Sequence, residues 1–184
     1  AMNLAGLAVD RQKLYLSLHH DGKVVAYDWT SGQQLREYAL ARPRGLAVEP
    51  GGTLAVVSGN GVVRLDPDSG TTTELASGFS DPFGIAVDAE GTIYVSDRGE
   101  MMCVRVLAAD GQPMRTIGRP GGRPLLGRFD PQGMLKPHGI AVDSAGKLWV
   151  TERDNTPRRV SVWDARSGTL LADLLGPGHY AING

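Results

Sequence analysis

Four short stretches of the 184-residue chain carry side chains suited to acid–base, metal or anion chemistry. They are His19-His20-Asp21, Asp97-Arg98-Gly99-Glu100, the lone His138, and Glu152-Arg153-Asp154-Asn155. Zinc normally takes at least three protein ligands. With 4 His and 1 Cys the chain cannot build a dense His/Cys cluster, and no metal or other cofactor is expected. Cys103 has no internal partner and reads as a small packing residue. Asp66-Pro-Asp-Ser-Gly70 is oxygen-rich but lacks the length and closing glutamate of a calcium loop, so it reads as an Asx turn. Gly118-Arg-Pro-Gly-Gly122 is followed by neither Gly-Lys-Ser/Thr nor a helix, which excludes a phosphate loop. There is no Gly-x-Ser-x-Gly elbow, and no catalytic residue is assigned. Arginine outnumbers lysine 15 to 4, and Arg115, Arg119, Arg123 and Arg128 fall close together. With a net charge of −1 and few aromatic residues for base stacking, that cluster reads as a solvated loop and no RNA partner is expected.

What must position these residues is an internal repeat. Gly6-Leu-Ala-Val-Asp10 returns as Gly45-Leu-Ala-Val-Glu49, Gly84-Ile-Ala-Val-Asp88 and Gly139-Ile-Ala-Val-Asp143. The spacings are 39, 39 and 55 residues, the last enlarged by an insertion near 119–135. Each motif is followed by three further short apolar runs, rich in Val, Ile, Leu and Tyr and separated by Asp-Gly, Ser-Gly or single-glycine turns. No stretch of ~12 residues holds a helical apolar period without a Gly or Pro break. Four antiparallel strands in about 40 residues is the pattern of a β-propeller blade. The expected fold is all-β: four four-stranded antiparallel blades, approximately 3–41, 42–80, 81–135 and 136–176, in one domain covering 1–184. In the motif strand, large residues alternate with alanine, which suits sheets converging on an axis, and the motif glycines are expected where a Cβ would clash.

The units resemble NHL repeats. Asp81-Pro-Phe-Gly-Ile-Ala-Val-Asp88 with Gly91-Thr-Ile-Tyr-Val-Ser-Asp97 carries the resemblance, as does Lys136-Pro-His-Gly-Ile-Ala-Val-Asp143 with Gly146-Lys-Leu-Trp-Val-Thr-Glu152. The first two units depart from it: the first lacks the proline, and the second has Ser58-Gly-Asn-Gly61 in place of an acidic turn. Such propellers usually close with five to eight blades. Four blades therefore imply a tight small ring, two chains sharing one ring, or a fragment of a larger ring. An open arc would leave two apolar faces bare. Ala1 before Met2 looks like a cloning scar and the chain stops soon after a complete unit, so a fragment or pairing half is expected, with self-association as one way to complete the ring.

The meander brings the residues before the motif glycines (Ala5, Arg44, Phe83, His138) to the same central face as the loops after each second strand. Loops on a rigid scaffold are where ligands bind. The candidate ligand-binding set is therefore His138, Glu152, Arg153, Asn155, Asp97, Arg98, Arg44 and Phe83. The pairing of His138 with residues 152–155 is similar to elements of peptidyl-hydroxyglycine amidating lyases, in which the matching histidine is one of three zinc ligands. Ala5, Arg44 and Phe83 at the equivalent positions leave that set incomplete. Related sugar-lactone hydrolases use a central calcium held by Glu, Asp and Asn. Glu152, Asn155 and Asp97 match those by type only. The resemblance thus implies a non-catalytic scaffold binding a protein or a small molecule. The alternative is part of the active site of a lyase or lactonase-type propeller. No apolar run approaches the ~18 residues of a membrane span, so no membrane partner is expected. The N-terminus lacks the features of a signal peptide, and the residues do not specify a compartment.

Overall fold

A computed structural model describes residues 3–125, 128–152 and 157–176. The first unit forms β1 (Leu4–Val9), β2 (Lys13–Leu18), β3 (Lys23–Asp28) and β4 (Gln34–Ala39). The second forms β5 (Pro43–Val48), β6 (Leu54–Ser58), β7 (Gly61–Leu65) and β8 (Thr72–Ala76). The third forms β9 (Pro82–Val87), β10 (Ile93–Asp97), β11 (Cys103–Leu107) and β12 (Pro113–Ile117). The fourth forms β13 (Pro137–Val142), β14 (Lys147–Glu152), β15 (Arg158–Asp164) and β16 (Leu170–Gly176). Each set is a separate four-stranded antiparallel meander, as the repeat predicts. No helix among the described residues is long and apolar enough to cross a membrane.

The turns explain why these strands end where they do. The motif acid caps the β-turn into the second strand: Asp88 accepts from the backbone N–H groups of Glu90 and Thr92, and Asp143 from those of Ala145 and Lys147. The same acid then holds the strand's aromatic residue. Tyr15 donates to Asp10, Tyr94 to Asp88 and the Trp149 indole to Asp143. The second sheet has Ala55 in place of the aromatic, and there the longer Glu49 reaches Thr53 and Arg64. Asp66 forms the expected Asx turn, accepting from the N–H groups of Asp68 and Ser69.

The inner strands pack in the order β1, β5, β9, β13, so the sheets stand side by side around an axis. Three cores fill the spaces between them. Tyr15, Val24 and Tyr38 of the first sheet meet Leu46, Leu54 and Val56 of the second. Ala55, Val57 and Val62 of the second meet Ile85, Ile93 and Val95 of the third. Tyr94, Val104 and Ile117 of the third meet Leu148, Val150 and Trp163 of the fourth, with Met134 of the insertion added. Close approach is extreme at the motif glycines. A Cβ on Gly6, Gly45 or Gly84 would lie under 3.0 Å from the carbonyl oxygen of Arg44, Phe83 or His138, each on the following inner strand. Gly139 departs from the expectation: the nearest atom to a Cβ there is its own sheet's Thr151 Oγ1, at 3.2 Å.

Among the described residues the two middle sheets are covered on both faces, and the end sheets on one. Every residue of β10 is buried, whereas β14 alternates strictly between exposed and buried.

Candidate functional site

Antiparallel pairing places the start of each inner strand beside the end of the second strand, Pro82 opposite Asp97 and Pro137 opposite Glu152. At this end of the sheets three consecutive blades contribute to one cluster. Arg44 of β5 donates to the Asp81 carboxylate and to the Pro82 carbonyl, the latter at 2.6 Å. Arg98, just past β10, pairs with the other oxygen of Asp81 at 3.0 Å. The Arg98 guanidinium lies over the Phe83 ring at 4.2 Å, and the His138 imidazole lies 3.7 Å from that ring, centroid to centroid, at 34°. Arg44 is 5.7 Å from the same ring.

Four predicted residues, Arg44, Phe83, Arg98 and His138, therefore meet. Two guanidiniums share one carboxylate, which leaves the cluster with an excess positive charge beside an aromatic face. Burial acts to raise the Asp81 carboxyl, but the hydrogen bonds from Arg44 and Arg98 outweigh it and hold Asp81 below the usual carboxylate range. Arg44 and Arg98 keep 22% and 12% of their side-chain surface exposed, and Phe83 and His138 are half-buried, so the cluster is open to a ligand.

Two further candidates, Asp97 and Glu152, are held by buried bonds within their own blades. Asp97 is fully buried and accepts from the Ser80 N–H and hydroxyl and from the N–H groups of Asp81 and Gly99. Glu152 is buried with Arg123 at 2.5 Å, Arg159 at 2.9 Å and the Leu135 N–H at 3.0 Å. Both acids sit next to the unpaired N–H groups of the segment entering their own inner strand, and buried donors demand an acceptor. They stitch the blade rather than face the opening. Arg153 and Asn155 lie outside the described residues.

Arg115 donates to the Ala165 carbonyl and the buried Arg123 to Glu152, while Arg119 stays exposed, donating to the Gly122 carbonyl of its own loop and pairing with Asp130. His19 points its Nδ1 at the Pro43 carbonyl, 3.2 Å away, and is apart from the His138 cluster. Among the described residues no three His, Cys, Asp or Glu side chains stand together as a metal-holding group.

Asp81 is the residue that reading the sequence missed. Its signal was present: Arg42 and Lys136 precede the equivalent prolines, so Asp81 is a charge reversal at a position flanked by Arg44 and Arg98. A separate cleft of about 720 Å³ opens between the third and fourth sheets at the opposite end of the strands. Its Asp88, Asp143 and Tyr94 are already engaged in the turns described above.

Four radial antiparallel sheets with a polar cluster at one end of their inner strands define a β-propeller protein. A family model described as outer membrane protein assembly factor BamB (PQQ_2) matches residues 2–116, and the chain belongs to that family. No curated protein matches it. Among solved structures it is similar to Kuenenia stuttgartiensis hydrazine synthase, with a TM-score of 0.75 and 20% identity over 95% of this chain and 49% of that one. It is also similar to a streptogramin B lyase structure, with a TM-score of 0.69 and 20% identity over 97% of this chain and 56% of that one. The chain thus spans about half the length of the solved chains it matches.

Proposed function

We propose that these are NHL-type blades forming a non-catalytic binding scaffold. Its ligand site is the Arg44–Asp81–Arg98–Phe83–His138 cluster, and its ligand presents a carboxylate or similar anion on a flat apolar body. The observation that carries this reading is the pair of guanidiniums converging on one carboxylate beside an aromatic face. An incoming anion can accept from the guanidinium edges, since arginine offers five donors in a planar fork. The ring supplies the apolar contact.

Benzoate titration followed by NMR at the arginine side chains tests this. Saturable shifts at Arg44 and Arg98, absent with benzamide and lost in Arg98→Ala and Phe83→Leu, are expected. Equal binding of benzamide, or no shift in the parent protein, overturns the reading. The alternative is an enzyme of the lyase or lactonase type, favoured by the fold shared with a streptogramin B lyase. Its active site would combine His138 with Arg153 and Asn155. Turnover of a lactone or a peptidyl-hydroxyglycine that disappears in His138→Ala would decide for it.

A further inference from the structure

Each of the three joints between neighbouring sheets is crossed by an arginine, which reaches the turn between the third and fourth strands of the next sheet. Arg36 of β4 donates to the Pro67, Asp68 and Ser69 carbonyls. Arg64 of β7 donates to both oxygens of Glu49 and to the Ala109 carbonyl. Arg115 of β12 makes one such bond, from Nη2 to the Ala165 carbonyl. Its Nε is buried with no hydrogen-bond partner among the described residues. Buried donors normally find an acceptor, so this one calls for an explanation.

The first joint shows what can occupy the space around such an arginine. By strand register Arg36 corresponds to Arg115, Tyr38 to Ile117 and Lys13 to Thr92. By turn position Pro67 and Asp68 correspond to Ala165 and Arg166. In the first joint Tyr38 donates to the Pro67 carbonyl at 2.8 Å, and Lys13 reaches Asp68 across the gap at 3.7 Å. The third joint has none of these fillers. Ile117 carries no hydroxyl, Thr92 is shorter than lysine, Ala165 lacks the proline ring, and Arg166 reverses the charge of Asp68. What remains is the cleft of about 720 Å³ between the third and fourth sheets, a size within the range of small-molecule sites.

We propose that this cleft binds a neutral saccharide, whose hydroxyls donate to Asp88 and Asp143 and accept from Arg115. Each sheet contributes one carboxylate and one guanidinium to the walls: Asp88 and Arg115 from the third, Asp143 and Arg166 from the fourth. These four charges balance, and Glu90 stands exposed at the rim, so a neutral ligand brings no uncompensated charge into the cleft. In both aspartates Oδ1 takes the turn N–H groups. Oδ2 takes a single bond, from Tyr94 in one and Trp149 in the other, and so keeps accepting capacity. The Arg115 guanidinium, tied at one corner, can turn its other donors to a ligand. A hydroxyl both donates and accepts, which suits walls that offer acceptors and donors together. Val87, Met114 and Val142 give the C–H face of a sugar ring an apolar surface to lie on. The site is at the opposite end of the strands from Arg44, Phe83 and His138, and it is independent of the ligand taken there.

The test is NMR at the arginine side chains during titration with maltose, cellobiose, lactose and N,N′-diacetylchitobiose. Each is taken to ~20 mM, well above the Kd of about 1 mM expected for a few net hydrogen bonds. At least one should bind saturably, moving the Arg115 Nε–H resonance and leaving those of Arg44 and Arg98 in place. Thr92→Lys combined with Arg166→Asp rebuilds across the cleft the pair that spans the first joint. It should weaken binding roughly tenfold or more while the circular dichroism and the urea midpoint hold. Arg115→Gln should weaken binding by a similar factor, and Arg36→Gln, at the first joint, should not. If the double variant loses its fold, the contrast between Arg115→Gln and Arg36→Gln decides. The proposal is overturned if the parent protein binds none of the four sugars, if binding survives in the folded double variant or in Arg115→Gln, or if the shifts are confined to Arg44 and Arg98. A response of the Arg115 resonance to L-lysine or benzoate where no sugar moves it assigns the cleft to a charged ligand and overturns the proposal as well.

Discussion

Glu152→Ala removes the carboxylate that two buried guanidiniums share. The side chains of Arg123, Glu152 and Arg159 retain 2%, 0% and 0% of their exposure. Arg159 keeps a second partner in Asp173 at 2.6 Å, so the charge left without a carboxylate among the described residues is that of Arg123, which keeps the Gly133 carbonyl and the Phe129 ring at 5.1 Å. Breaking a buried ion pair from one side costs about 3–5 kcal/mol. The Leu135 N–H loses its acceptor as well, a cost of about 1–3 kcal/mol that water entering the vacated space partly offsets. A net loss of about 4 kcal/mol is a large part of the roughly 5–15 kcal/mol by which domains are stable. At a urea dependence of about 2 kcal/mol per molar it moves the midpoint down by about 2 M. The buried Trp163 shares a core with Met134 of the insertion, so its fluorescence reports the change. Glu37→Ala, which breaks the exposed Lys23–Glu37 pair, is the control and should leave the midpoint in place. If Glu152→Ala costs no more than Glu37→Ala, Glu152 is not the anchor of the insertion and its reading as a ligand group returns.

Gly84→Ala drives a methyl against the His138 carbonyl and should cost about 1–3 kcal/mol in urea unfolding. A neutral Gly84→Ala would refute the close approach. Cys103 is fully buried and its thiol is pushed up to about 11 by that burial, so at pH 8 Ellman's reagent should label it only after denaturant is added. Rapid labelling of the native protein would contradict this. Asp81 and Glu49 are held below their ordinary values of 3.8 and 4.5 by arginine bonds that outweigh burial. A depressed folded value means that their stabilisation is complete above the unfolded value and fades as pH falls through the folded one. Thermal midpoints should therefore be level from pH 7 to about pH 5 and decline below about pH 4. A rise on acidification would refute the assigned ion pairs.

The repeat made the sheets legible because every unit restates the same turn chemistry and the same large–small alternation. Even its exceptions covary. The aromatic at Tyr15, Tyr94 and Trp149 accompanies the motif aspartate, and Ala55 accompanies Glu49 with Arg64. The placement of Arg44, Phe83, Arg98 and His138 followed from topology alone, since a meander fixes which ends lie together. The bonds of Asp97 and Glu152 were not legible, because residue type says nothing of direction. An acid at the end of a second strand has water on one side and unpaired N–H groups on the other, and here the buried donors win. The insertion was legible only as extra length. That Arg123 folds back to meet Arg159 across Glu152 depends on a contact 29 residues apart that no local pattern announces.

The positions before the motif glycines show why chemistry collects where it does. The carbonyl of Arg44 accepts from Ser17 and that of His138 from Ser96, so their backbones are fixed by packing. Their side chains are only half-buried and no core constrains them, which is why Ala5, Arg44, Phe83 and His138 differ while the following glycine does not. A fold that pins the backbone and frees the side chain presents ligand groups without reorganisation when the ligand arrives. Three adjacent blades fill this position with residues that touch one another, and Ala5 leaves it blank at the end of the arc.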